Sequence, residues 1–187
     1  MPLIEVLTDA PARNDRERAD VERLRSLAAA AAGWDEIWDR STPLHVTGSA
    51  FVVHPPTRRV LLRWHDRQQA WIQVGGHGDP GEEHPLDVAR REATEETGLD
   101  DLRPWPDARL VHVAIVPVPA NEREPAHEHA DLRYVLATDE PNRARAEHEG
   151  AEVRWLSVDA AIELTVAANV KESLRRVGEL LRAPTTS

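Results

Sequence analysis

Residues 75–99 read GGHGDPGEEHPLDVARREATEETGL, and the spacing within this stretch decides the fold. Glu92, Glu95 and Glu96 stand at i, i+3 and i+4, which a helix gathers inside roughly a third of its circumference. Leu86, Ala89, Ala93 and Thr97 form a separate stripe of small and apolar residues suited to packing on a sheet. Pro85 fits a first helical turn and Gly98 falls just past the last. The pattern therefore predicts a helix over 85–97, entered through a glycine-rich loop. Carboxylates at i,i+4 weaken an isolated helix by about 0.2–0.5 kcal/mol per pair. A divalent cation offsets that repulsion, because hard ions such as Mg²⁺ take carboxylate, water and phosphate oxygens. A solvated, charged surface helix is the bland alternative. The double glycine, the Gly-Glu turn and the terminal Gly98 weigh against it.

The segment resembles the signature of the Nudix (MutT-like) hydrolases, G-x5-E-x7-R-E-U-x-E-E-x-G-U with U a bulky aliphatic residue. Arg91-Glu92-Ala93-Thr94-Glu95-Glu96-Thr97-Gly98-Leu99 matches its second half, with Ala93 smaller than usual. The first half departs by one residue. Counting from Gly76 reaches Glu82, while counting back from Arg91 reaches Glu83, so a one-residue insertion precedes the helix and leaves the loop glutamate open between the two. Upstream, Trp71-Ile72-Gln73-Val74-Gly75-Gly76 is similar to the family's approach to the box, with Val74 in place of a frequent proline.

The resemblance implies an α/β fold, a Nudix α/β/α sandwich with a mixed sheet, here with an added N-terminal helix. It implies Mg²⁺- or Mn²⁺-dependent hydrolysis of a diphosphate linkage in a nucleoside diphosphate joined to another group, or in a related small molecule. It further implies Glu92, Glu95 and Glu96 as catalytic metal ligands, with the Gly76 carbonyl as a further ligand. Arg91 is expected to orient the glutamates through ion pairs. Glu92 and a residue on a distant loop, Glu147 or Glu149, are both open as the group that takes a proton from water. The rival from another class is a non-catalytic Nudix-fold module that binds a nucleotide or serves regulation.

Composition narrows the field. At 187 residues the chain suits one domain with a sizeable core, and 41% hydrophobic against 30% charged content suits a soluble globule. No apolar run long enough to span a bilayer occurs, and the N-terminus lacks a signal-peptide pattern, so a cytoplasmic location without membrane partners is expected. The absence of cysteine excludes disulfides and thiolate chemistry, and argues against the cysteine-dependent isopentenyl diphosphate isomerase relatives of the family. A net charge of −10 excludes a general nucleic-acid surface. A small-molecule diphosphate remains compatible, since a metal and local arginines can invert the field in a cleft.

Periodicity outlines the rest. Helices are expected over 15–32, with Val21, Leu24, Leu27 and Ala28 on one side, over 158–164 and over 169–182. Strands are expected over 46–53, 60–64, 71–74, 110–118, 132–137 and 153–156, with a polar loop over 119–127 and a frayed tail over 184–187. The division that follows is an N-terminal helical extension, residues 1–44, packed on a Nudix domain, residues 45–187. The amphipathic terminal helices leave a homodimer open.

Two further groups stand out. Arg63, among the hairpin arginines around Trp64 and Trp71, is expected either to meet substrate phosphate or to be solvated. In an extended chain His127, His129, Asp131 and Arg133 project to one side and Leu132, Tyr134 and Leu136 to the other. His129 and Asp131 are expected as substrate contacts. A polar sheet margin and a separate zinc or iron site are the alternatives.

Overall fold

β1 (Leu44–His54) runs through the middle of the molecule and is buried on both faces, which explains its nearly continuous apolar and small-residue content. The computed structural model describes residues 2–122 and 124–183. Along one edge β1 pairs antiparallel first with β2 (Arg59–His65), through residues 52–54, and then with β4 (Val74–His77), through residues 47–50. Along the other edge it pairs parallel with β7 (His127–Ala137) over ten positions, from Leu44↔Glu128 to Val53↔Ala137. β3 (Ala70–Ile72), β5 (Arg103–Pro104), β6 (His112–Val118) and β8 (Val153–Ser157) complete an eight-stranded mixed sheet.

Side-chain alternation divides the core in two. Val46, Ala50 and Val52 of β1, with Ala130, Leu132, Tyr134 and Leu136 of β7, face one layer of helices. That layer holds α1 (Leu3–Val6), α2 (Asp15–Ala30), α3 (Trp34–Trp38) and α4 (Pro85–Thr97). Phe51, Val53, Val135 and Ala137 face the other layer, α5 (Val158–Leu164) and α6 (Ala168–Arg182). This is the expected α/β/α sandwich with a mixed sheet. Val170, Leu174, Val177 and Leu181 of α6 are spent inside the second core. No helix among the described residues is long and apolar enough to cross a membrane.

Several boundaries differ from expectation. β7 begins at His127 rather than 132, because its first half faces a cleft and carries polar residues instead of core ones. The single strand expected over 71–74 is two strands that part at Gln73, as the chain leaves β2 for β1. α2 ends at Ala30, two residues early, and α3, too short to show a helical period, follows it. The tail expected over 184–187 lies outside the described residues.

α2 starts with a reciprocal cap. The Asn14 side chain accepts the Glu17 amide at 3.0 Å, and Glu17 accepts the Arg13 amide at 2.6 Å. Glu17 also pairs with Arg176 of α6, both nearly fully buried, and Arg176 donates to the Val111 carbonyl at 3.2 Å. Removing one charge from a buried pair leaves the other uncompensated. Glu17→Gln is expected to lower unfolding free energy by about 2 kcal/mol or more in urea titrations. A loss within the range of an exposed pair would refute that role.

His112 lies beside this pair, its Nδ1 2.8 Å from Ser173 Oγ. Burial, reinforced by Arg133 and Arg176, pushes its imidazole down to about 3. The unfolded chain therefore takes up this proton first, near pH 6.5. The stability it contributes is complete above about pH 6.5 and is lost as pH falls toward the folded value. The urea midpoint should fall between about pH 7 and pH 5, and fall less steeply in His112→Asn. Parallel slopes would count against the assignment.

Candidate active site

α4 enters the site with His84 as N-cap, its Nδ1 accepting the Leu86 amide at 3.2 Å, and leaves it at Gly98, whose φ of 66° suits glycine. Val88, Ala89, Ala93 and Thr97 are buried toward the sheet. Gly48 of β1 permits that approach, since a Cβ there would lie 2.6 Å from the Pro85 carbonyl. The seating turns Glu92 and Glu96 onto Gly75 and Gly76. Glu96 is buried and accepts the Gly75 amide at 3.0 Å through Oε2. The Glu92 carboxylate rests on Gly76, where a Cβ would come within 2.5 Å of its Cδ. Burial raises the Glu92 carboxyl above the usual range, with Glu95 and Asp79 adding to the rise against the pull of Arg91. Glu95 sits at the rim, exposed, with an oxygen 3.3 Å from Arg91.

Arg91 ties the loop to the helix. Its Nε and Nη2 reach the two oxygens of Glu82, both at 3.0 Å, Nη1 reaches Glu92 at 2.8 Å, and Nη2 donates to the His77 carbonyl at 2.9 Å. The Glu82 hydrogen bonds and the neighbouring carboxylates hold the guanidinium well above its ordinary pKa. The open choice between Glu82 and Glu83 is thereby resolved on geometry: Glu82 forms the fork-to-fork pair and Glu83 is exposed. Trp38 of α3 braces the same loop. Its ring covers Gly78, where a Cβ would meet it at 2.3 Å, and its Nε1 donates to the Glu82 carbonyl at 2.7 Å.

The opposite wall comes from the cleft-facing sides of β1 and β7. Asp131 Oδ1 accepts from Ser49 at 2.6 Å and Thr47 at 3.1 Å, and Oδ2 accepts from Arg133 at 2.7 Å and Gln73 at 3.0 Å. With four donors on its two oxygens Asp131 is a buried organiser of the wall. Arg133 continues to the Asn169 carbonyl at 3.0 Å and Ser173 Oγ at 2.9 Å on α6. Gln73 Oε1 is buried without a partner, an acceptor left over in the wall.

Above them His45 of β1, His77 of β4 and His129 of β7 cluster beside His127. Burial, then the neighbouring histidines, lowers His77 to about 3 and His129 to about 4. His45 and His77 escaped the sequence reading. The only available signal was the alternation His45-Thr47-Ser49, and its partner strand is fixed by a register that sequence does not reveal.

The cleft between these walls holds about 200 Å³ and is bordered by Arg63, Gln73, Gly75, Gly76, Glu96 and His129. Arg63 of β2 forms an ion pair with Glu96 inside it. Arg63 also lies in the field of Glu147 and Glu92, while Glu147 itself is exposed on its loop. The residues present fit a hard divalent ion. Glu92 and Glu96 approach two glycines that have no side chain to keep them away, and burial disfavours the charge on Glu92, which a bound cation would offset. Gly76→Ala is expected to displace Glu92 and weaken Mg²⁺ or Mn²⁺ binding by at least about 10-fold in calorimetry. Unchanged metal affinity would show that the close approach has no functional weight.

A family model described as the NUDIX domain matches residues 43–177, so the chain belongs to the Nudix family. A probable DHNTP pyrophosphohydrolase from Lactococcus lactis subsp. cremoris (strain MG1363) is 36% identical over 99 residues, 52% of this chain. The match spans about half, 51%, of that relative's length. Among solved structures, a C. elegans Ap4A hydrolase binary complex superposes with TM-score 0.58 at 19% identity, covering 73% of this chain and 96% of that one. The E. coli dihydroneopterin triphosphate pyrophosphohydrolase superposes with TM-score 0.56 at 19% identity, covering 76% and 98%. Likeness at that identity speaks for the fold.

Proposed function

We propose that this chain is a Mg²⁺- or Mn²⁺-dependent pyrophosphohydrolase acting on a diphosphate linkage in a small phosphorylated molecule. The observation that carries the reading is the convergence of Glu92 and Glu96 on Gly75–Gly76 at the floor of a cleft bordered by Arg63. The pyrophosphohydrolase named among its relatives supports the same reaction class. Glu92, Glu95 and Glu96, with the Gly76 carbonyl, would hold the ion, which supplies positive charge against phosphoryl oxygens and activates water.

The chain's own groups do the rest. Arg91 fixes the rotamers of Glu82 and Glu92 and does not enter the cleft floor. Arg63 offers a positive charge to phosphoryl oxygens. Glu92, next to the Gly76 backbone, and Glu147, whose charge acts on Arg63, are the two candidates to take a proton from water. Gln73 Oε1 offers an acceptor to a substrate N–H or O–H, and His129 lines the same wall. Residues 1–44 act as a brace and residues 45–187 carry the chemistry.

A panel of nucleoside and pterin di- and triphosphates with Mg²⁺ or Mn²⁺, read by phosphorus NMR and product mass, tests the reading. Glu96→Gln and Glu92→Gln are each expected to lower turnover by at least about 100-fold with the fold intact by circular dichroism. Tight binding without any cleavage across the panel would favour a binding module instead.

A further inference from the structure

We propose that His45, His77 and His129 form a second metal site, selective for a borderline transition ion such as Zn²⁺ and separate from the carboxylate site. Three strands supply it: β1, β4 and β7. His77 Nε2 lies 3.2 Å from His45 Nε2 and 3.3 Å from His129 Nε2, and His129 Nε2 lies 3.1 Å from His127 Nε2. Ligands at 2.0–2.1 Å around a tetrahedral ion stand about 3.3–3.4 Å apart; the two edges at His77 match that spacing, and all three ligand nitrogens lie within 4.8 Å of one another.

Hydrogen bonding among neutral rings does not account for these contacts. His45 Nδ1 faces the Thr42 carbonyl at 3.2 Å and His127 Nδ1 faces the Pro125 carbonyl at 2.9 Å. A carbonyl only accepts, so both rings carry their hydrogen on Nδ1 and present a bare Nε2 lone pair to the cluster. The three Nε2 contacts then have two hydrogens to share, on His77 and His129. If each donates outward, to His45 and His127, two N–H groups confront one another across the middle contact. If either donates inward, an outer contact becomes two lone pairs. A cation held by His45, His77 and His129 replaces the two contacts among those three nitrogens with metal–ligand bonds and leaves the His127 lone pair free to accept from a donor. Carbonyl acceptors on the far ring nitrogen are also the usual means of aiming a ligating histidine.

Chemistry separates this site from the first. Imidazole nitrogens suit Zn²⁺, Ni²⁺, Cu²⁺ and Fe²⁺, whereas Mg²⁺ prefers oxygen. Asp131, on the same strand, is spent on four donors and is not a ligand. Three protein ligands leave a coordination position for water or a substrate oxygen, and His77 and His129 border the cleft that holds Glu96. His127, its Nε2 3.1 Å from that of His129, borders the cluster without being one of its three ligands.

The test uses the full chain stripped of metal by chelation and returned to buffer with excess Mg²⁺. Zn²⁺ calorimetry is expected to show one ion bound with Kd below about 1 µM. Co²⁺ on the unaltered protein should give the intense visible absorption of four- or five-coordinate cobalt. His45→Ala and His129→Ala should each weaken Zn²⁺ by at least about 100-fold. Glu92→Gln/Glu95→Gln should leave it unchanged. Absence of Zn²⁺ binding, a weak octahedral cobalt spectrum, or affinity lost in the glutamate variant and kept in the histidine variants would each overturn the proposal. None of these readouts uses turnover, so the site stands or falls apart from the hydrolase reading.

Discussion

One guanidinium holds together parts of the chain that repel one another. Around Arg91 lie Glu82 from the loop, Glu92 and Glu95 from its own helix, Asp79, and the carbonyl of His77. Exposed ion pairs contribute little to stability, yet this one is half-buried, bidentate to Glu82 and shared among several partners. Apolar packing seats α4 on the sheet, and Arg91 offsets the repulsion between its acidic face and a glycine turn that carries further carboxylates. With it, Glu92 and Glu96 are pressed on Gly75–Gly76 before any ion arrives. The extra residue in the loop is absorbed between Glu82 and Pro85, outside this clasp, and so leaves the geometry undisturbed.

β1 transmits that arrangement to the opposite wall. Its even-numbered residues pack under α4, while His45, Thr47 and Ser49 face the cleft and register against His129, Asp131 and Arg133. Burying a carboxylate and a guanidinium there is costly unless each polar atom finds a partner. Asp131 and Arg133 do find them, on β1, at Gln73 and on α6. The polar wall is therefore a rigid surface rather than a set of mobile contacts. Gln73, at the break between β3 and β4, is where that surface retains spare hydrogen-bonding capacity.

What sequence could convey followed the range of its signals. The helix over 85–97, its glycine stop and the sandwich class came from local periodicity and motif spacing, and the structure has them. The split of His127, His129, Asp131 and Arg133 from Leu132, Tyr134 and Leu136 followed from the two-residue period of a strand. Parallel pairing of β1 with β7 links positions more than eighty residues apart, and no local pattern encodes it. For that reason His45 and His77 stayed out of the sequence reading, and the four donors that hold Asp131 at the cleft wall were not legible in it. The choice of Glu82 over Glu83 likewise needed the position of Arg91 in space.

The N-terminal helices gain meaning from two of the contacts they make with the rest. Trp38 closes over Gly78 and holds the Glu82 carbonyl, which fixes the loop side of the clasp. Glu17 holds Arg176, whose helix also carries Asn169 and Ser173, the partners of Arg133. A single helical extension thus bears on both walls of the cleft, one through an indole and one through a buried ion pair. Both walls of the cleft are tied, away from its floor, to residues of the extension that line no part of it.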